Sequence, residues 1–221
     1  MRRPIIFIRH GATKLNSDDV SIDRIRGWKD IPLSPEGEDE AHKLAHSLRH
    51  NPPSVIVTSD LKRAADTAGI ISTVLGVPVE WKTEKFRPWN VGDYAGEVSS
   101  KAIPILADYA KNKPDQKIPG GESFDDFRKR FFSGLDEALD RFSGVVAIVS
   151  HHRDERLLKA WIAGGFKTDG SIDISTFNQK GEHTGSAERI NIPEELLDRV
   201  NGEAPESSPV GKAINRMARH G

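Results

Sequence analysis

The chain has 221 residues, a net charge of −1 and 29% charged side chains. That balance argues against a dedicated nucleic-acid or membrane-surface binder. Cysteine is absent, which excludes disulfides, thiolate zinc sites and a cysteine nucleophile. The apolar run near the N-terminus is too short for a signal peptide, and no stretch is long enough to span a bilayer. We expect a soluble, cytoplasmic protein with one α/β domain large enough to bury a substantial core.

Ile5-Ile6-Phe7-Ile8 reads as a short, fully buried strand. It ends in Arg9-His10-Gly11, with Thr13 just beyond. Read alone, that end is most simply a strand terminus with solvated charged groups. A polar loop over 14–28 follows, then Ser34-Pro35, an N-cap followed by proline at the first helical position. Ala41, Leu44, Ala45 and Leu48 recur at helical spacing up to the stop at Pro52-Pro53. Val55-Ile56-Val57 is a second strand, ending in Thr58-Ser59-Asp60, and a helix runs from about Leu61 to Leu75. Gly76 and Pro78 terminate it, and Val79-Glu80-Trp81 forms a third strand.

Residues 83–100, with Trp89, Gly92, Tyr94 and Gly96, form a loop suited to the wall of a site. A weak helix covers 101–112. Ser123 with Asp126 resembles a capping box and opens a strong helix, whose Phe124, Phe127, Phe131, Leu135, Ala138 and Leu139 make a core stripe. Val145–Val149 is the clearest strand. It ends in Ser150-His151-His152-Arg153 and leads to a helix over Glu155–Ala163. Alternation over 172–177 and 187–192, with a polar turn at 179–185 between them, predicts a late hairpin or two neighbouring strands. From Asn201 the composition shifts to Gly, Glu, Pro and Ser; residues 201–221 read as a tail with a short helix near 210–218.

Parallel strands end at one edge of a sheet. That brings Arg9, His10, His151 and Arg63 together from distant positions, and a phosphate-sized anion would satisfy them. A histidine metal site is the rival, but arginines crowd this cluster where a cation would call for carboxylates.

With these motifs in order, the chain resembles the histidine phosphatase superfamily, in its phosphoglycerate-mutase-like branch. Arg9-His10-Gly11 with Thr13 and Asn16 is similar to its first signature. Arg24, Gly27, Asp30, Pro32, Leu33 and Gly37 are similar to the segment after it, with Arg26 where glutamine is usual. Ser59-Asp60-Leu61 with Arg63, Ala64, Thr67 and Ala68 resembles the second signature. Gly120-Gly121-Glu122-Ser123 with Arg128, and Val149-Ser150-His151, resemble two later blocks. The likeness runs from residue 5 to about 165.

The resemblance implies a three-layer α/β/α fold over residues 1–200, a mostly parallel sheet with helices on both faces. It implies His10 as a nucleophile attacking phosphorus, and Arg9, Arg63 and His151 as holders of the phosphoryl oxygens. Thr13 and Asn16 would line the phosphate and its ester side, and neither a metal nor a cofactor is implied. His152 and Arg87 are added here as substrate contacts, because His152-Arg153 stands where two glycines are usual. Pro88 occupies the position of the usual acidic glutamate, which leaves Glu84, Asp93 and Asp154 as substitutes. The expected partner is a small phosphorylated substrate, not a nucleic acid or a membrane, and a homodimer is compatible with the sequence. Hydrolysis is the expected reaction. A phosphoglycerate-type mutase and a phospho-ligand binding or regulatory module are the alternatives.

Overall fold

Buried strands need helices on both faces, and the alternation of side chains along each strand decides which helix covers which residue. The computed structural model describes residues 2–16, 22–167, 170–178 and 183–193. Five strands form one sheet: β1 (Arg2–Arg9), β2 (Val55–Ser59), β3 (Val79–Thr83), β4 (Val146–Ser150) and β5 (Ala187–Pro193), in the order β3-β2-β4-β1-β5. The pairs β3-β2, β2-β4 and β4-β1 are parallel, and β5 runs antiparallel to β1.

Ile6, Ile8, Ile56, Ala147 and Val149 face α1 (Pro35–Leu48) and α2 (Lys62–Leu75). Ile5, Phe7, Val57 and Ile148 face the larger core built with α3 (Ser99–Asn112), α4 (Phe124–Arg141) and α5 (His152–Ala163). This is the three-layer arrangement expected. The helix starts are those the sequence signals. Ser34 Oγ accepts the Gly37 N–H at 3.2 Å and Ser123 Oγ accepts the Asp126 N–H at 3.0 Å. Gly76 ends α2 in the left-handed region at φ 68°.

Two boundaries differ. Helix α5 begins at His152, not at Glu155, because His151 is already the extended N-cap residue. Residues 174–177 form a short helix, α6 (Ile174–Phe177), instead of a strand. The Asp173 carboxylate accepts from the Ser175 N–H and from the hydroxyls of Ser175 and Thr176. Such local bonds favour a helix start over a sheet ladder. The late hairpin is therefore replaced by a single edge strand, β5, paired with β1. Residues 179–182 of the expected turn and the whole 201–221 tail lie outside the described residues. Among the described residues no helix is long and apolar enough to cross a membrane.

The register sets the site. Arg9 pairs with Ser150 and Thr58 with Val149, so β1, β2 and β4 end at nearly one level. The large core beneath is aromatic: Trp89 stacks on Phe127 at 6.3 Å, and Phe124 meets Phe177 edge to face at 4.8 Å. Replacing the fully buried Phe127 by alanine should destabilise the fold by about 3–5 kcal/mol, read as a fall in the urea midpoint with an unchanged slope.

Candidate active site

His10 leaves the sheet one residue beyond β1, and its backbone N–H continues the ladder to Ser150 O at 3.0 Å. The loop after it is packed against the start of α1. A Cβ on Gly11 would lie 2.2 Å from Gly37 O, and one on Gly37 would lie 2.0 Å from Ala12 O. Only glycine fits either position. Gly11 N–H donates to Thr67 Oγ1 at 3.1 Å, and Ala12 N–H to Glu40 Oε2 at 2.8 Å. Thr184 donates its hydroxyl to the other Glu40 oxygen at 2.9 Å, and Gly185 N–H reaches His10 O at 3.1 Å. The turn before β5 thus straps the loop from the far side.

The His10 ring has a fixed tautomer. Nδ1 lies 2.7 Å from Gly11 O, an acceptor only, so Nδ1 carries the proton and Nε2 keeps a lone pair. The His151 ring stands edge to face with it, centroids 5.1 Å apart. His151 Nδ1 accepts from Arg63 Nε at 3.2 Å, which puts the ring proton on Nε2, 2.9 Å from Ser59 Oγ. Arg63 also donates to Lys29 O at 2.8 Å and Gly27 O at 3.0 Å. Of its five N–H groups, these bonds use three, and one on each Nη remains for an anion. Both His151 nitrogens are engaged, so holding a phosphoryl oxygen through this ring requires exchanging Ser59 or Arg63.

Thr13 N–H and Thr13 Oγ1 both donate to Asn16 Oδ1 at 2.9 Å, leaving the Asn16 amide nitrogen as a donor. Arg9 points to the α5 side, where with Phe7, Glu155, Lys159, Ser186, Ala187 and Glu188 it lines a cavity of about 250 Å³. It remains close enough to His10 and His152 for its charge to depress both imidazoles. Arg87 does not present a free charge. It grips Asp60 with two bonds of 2.7 and 2.5 Å and lies over the Trp28 ring at 4.6 Å. Its proposed contact with substrate would therefore have to compete with a bidentate ion pair.

Burial, followed by the Arg63 charge, holds His10 and His151 well below the ordinary imidazole value of 6.5. Burial, followed by Arg9, does the same to His152. Burial lowers Arg63 to about 9 and Arg9 to about 10, with Arg26 the next cause for each. Arg26 bears on all five groups. In the sequence Arg26 stands out as the departure from the usual glutamine, whereas Ser59 and Thr67 appear within the second signature with no role of their own. The other two act only through contacts made in the fold. An anion would relieve this cluster, in which Arg26 acts on Arg63 and Arg9 and all three act on the imidazoles, while Arg26 itself pairs with the Asp23 carboxylate at 3.1 Å.

The wall opposite is tied together by hydrogen bonds, and Asp93 stands exposed in the short turn Gly92–Tyr94 beyond it. The Arg130 guanidinium donates to the carbonyls of Glu84, Lys85, Arg87 and Pro88 and pairs with Glu122 at 2.6 Å. Pro88 is buried, and its carbonyl also takes the Trp28 Nε1–H at 2.7 Å. Glu84 is exposed and 4.0 Å from Arg87, and Asp154 is wholly buried. Among the described residues no carboxylate hydrogen-bonds His10 or His151.

Two outcomes follow. Gly37→Ala should displace the His10 loop and lower turnover by more than tenfold, while circular dichroism stays near wild type; the steric overlap falls on backbone, which cannot yield locally. The three depressed histidines are neutral when folded, so below about pH 6.5 the unfolded chain binds more protons than the folded one. Their contribution is complete above that pH and is lost as pH falls. Asp154, raised by burial, works in the opposite sense as one group against three. The urea midpoint should therefore drop between about pH 7.5 and about pH 5.5.

Comparison with known proteins shows the family. The defining pattern of the histidine phosphatase superfamily (branch 1) matches residues 5–174. Phosphoglycerate mutase-like protein 4 of Arabidopsis thaliana is 31% identical over 67% of this chain, which spans 65% of that protein's length. The uncharacterized phosphatase PhoE of Bacillus subtilis is 30% identical over 73% of this chain and 78% of its own. The solved structure of Bacillus stearothermophilus YhfR superposes with a TM-score of 0.68 at 26% identity, covering 86% of this chain and 92% of that one. With its signature residues in order, its sheet of the same architecture and the match running through 170 consecutive positions, the chain belongs to the histidine phosphatase superfamily.

Proposed function

We propose that the chain hydrolyses a small phosphorylated substrate through a phosphohistidine on His10, without a metal. The observation that carries this is the His10 tautomer: a buried imidazole whose Nδ1–H is tied to Gly11 O, with an Nε2 lone pair beside Arg63 and His151. Nε2 attacks phosphorus, the N–P bond forms, and the ester P–O bond breaks. Water then attacks phosphorus and breaks the N–P bond. It supplies hydroxide to phosphorus and, in net, one proton to the departing alcohol. Charge on the equatorial oxygens is answered by the two unused Arg63 N–H groups, by Arg9 and Arg26, and on the ester side by Thr13 and Asn16. His152, held neutral by burial and by Arg9, adds an imidazole to this rim. Membership of the family, and a relative described as a phosphatase, support hydrolysis.

The buried Pro88 favours a second reading of the leaving step. With no carboxyl at that position, the enzyme favours substrates whose leaving group departs without a proton, such as an acyl phosphate. A phosphoglycerate-type mutase, or a binding module with weak catalysis, is the competing account.

His10→Ala should abolish hydrolysis of an aryl phosphate by at least about 10³-fold, and an alkaline rapid quench of wild type should contain phosphohistidine. Equal turnover by mutant and wild type would refute the assignment. Across aryl phosphates, kcat should fall steeply as the leaving-group pKa rises. Isomerised ester in place of free phosphate among the products would identify a mutase.

A further inference from the structure

The end of β4 carries a buried polar chain that the phosphoryl-transfer reading does not use. Ser150 is fully buried. Its Oγ lies 3.0 Å from Phe86 O and 2.8 Å from Asp154 Oδ2. A hydroxyl has one hydrogen to donate. Phe86 O can only accept. If Asp154 were ionised it too could only accept, and one of the two contacts would set lone pair against lone pair in the interior. Both contacts are satisfied in a single way. Ser150 donates to Phe86 O, and a protonated Asp154 donates to Ser150.

Three further observations agree. Asp154 is fully buried. Its Oδ1 has no hydrogen-bond partner, which a neutral carbonyl oxygen tolerates far better than a carboxylate does. Burial pushes its carboxyl well above the usual range. The charged groups around it come from several elements. Glu122, before α4, raises it. Arg130 on α4 lowers it, as do the Ser150 hydroxyl and the His151 backbone beside it, and from α2 Arg63 lies close enough that a charge on Asp154 would raise it.

We propose that Asp154 is a protonated positioning residue, whose O–H fixes the Ser150 hydroxyl on Phe86 O and so joins the second-histidine strand to the 86–88 wall of the site. It is not the acid for the leaving group, since its side chain is sealed beneath that wall. The two elements joined are those that matter for the proposed reaction: Ser150 precedes His151, and Phe86 stands two residues before Pro88. Loss of the proton at alkaline pH turns the Ser150 hydroxyl back to Asp154 and leaves Phe86 O unpaired. The functional consequence rests on the phosphatase reading, but the protonation state does not.

Infrared spectroscopy of the full chain tests the protonation state directly. Wild type at about pH 7 should show a protonated-carboxyl C=O band that shifts on deuteration and disappears in Asp154→Asn. No such band in wild type, or one that survives in Asp154→Asn, overturns the proposal whether or not the chain turns over any phosphate. Kinetics test the positioning role. Asp154→Val, which cannot donate, should lower kcat roughly tenfold with KM little changed, the equivalent of one lost buried hydrogen bond. Asp154→Asn keeps an N–H for Ser150, so it should rescue that loss and remove the alkaline fall in kcat. An Asn variant as impaired as Val, or one that keeps the alkaline fall, overturns it. Should Asp154→Val not fold, Ser150→Ala, which cuts the same chain with a small side chain, takes its place with the same expected loss.

Discussion

Arg63 is the group on which the site depends. It lies in the first turn of α2, is almost wholly buried, and reaches two other segments: His151 after β4, and the carbonyls of Gly27 and Lys29 in the loop before α1. These bonds align one guanidinium edge with the His10–His151 pair and leave two N–H groups unused. A buried guanidinium with no carboxylate on it is costly, and here its direct partners are backbone carbonyls and a neutral imidazole. Burial and the Arg26 charge lower its pKa to about 9. The site is thus poised for an anion, which would add the missing negative charge at the centre of the cluster.

On the proposed reading, nucleophile and anion clamp are prepared by different means. The His10 tautomer is set locally, by the carbonyl of the next residue. The clamp is set at long range, by strand register and by Arg63. The close approach of Gly11 and Gly37 links the two, because it seats the His10 loop on the N-terminus of α1. The wall over 84–88, gripped by Arg130, Glu122 and Trp28, adds shape, and Pro88 brings no carboxyl to it.

The strands and most helices were legible because their signals are local: buried apolar runs, Ser caps, a proline at the first helical position, and Gly76 at a helix end. The same holds for His10, Arg63 and His151, which stand at strand ends or in the first turn of a helix. The late segment was misread for an equally local reason. Alternating Ile172, Ile174 and Thr176 mimic a strand, but Asp173 captures the next turn and Phe177 finds a place against Phe124. Arg87 looked available for substrate, because nothing in its neighbourhood in the chain announces the bidentate pair with Asp60.

What the sequence determined by itself is the architecture and the chemical type of the site. Apolar runs separated by amphipathic helices admit one layered arrangement, and strands in parallel must deliver Arg-His-Gly and Ser-His to one edge. What only the tertiary structure decided is the state of each group there. The proton on His10 Nδ1, the two donors left on Arg63, the engagement of both His151 nitrogens and the coupling of Arg26 to the whole cluster all follow from distances between segments far apart in the chain. Protonation and hydrogen-bond capacity depend on burial and on neighbours within a few ångströms, and sequence order does not specify them.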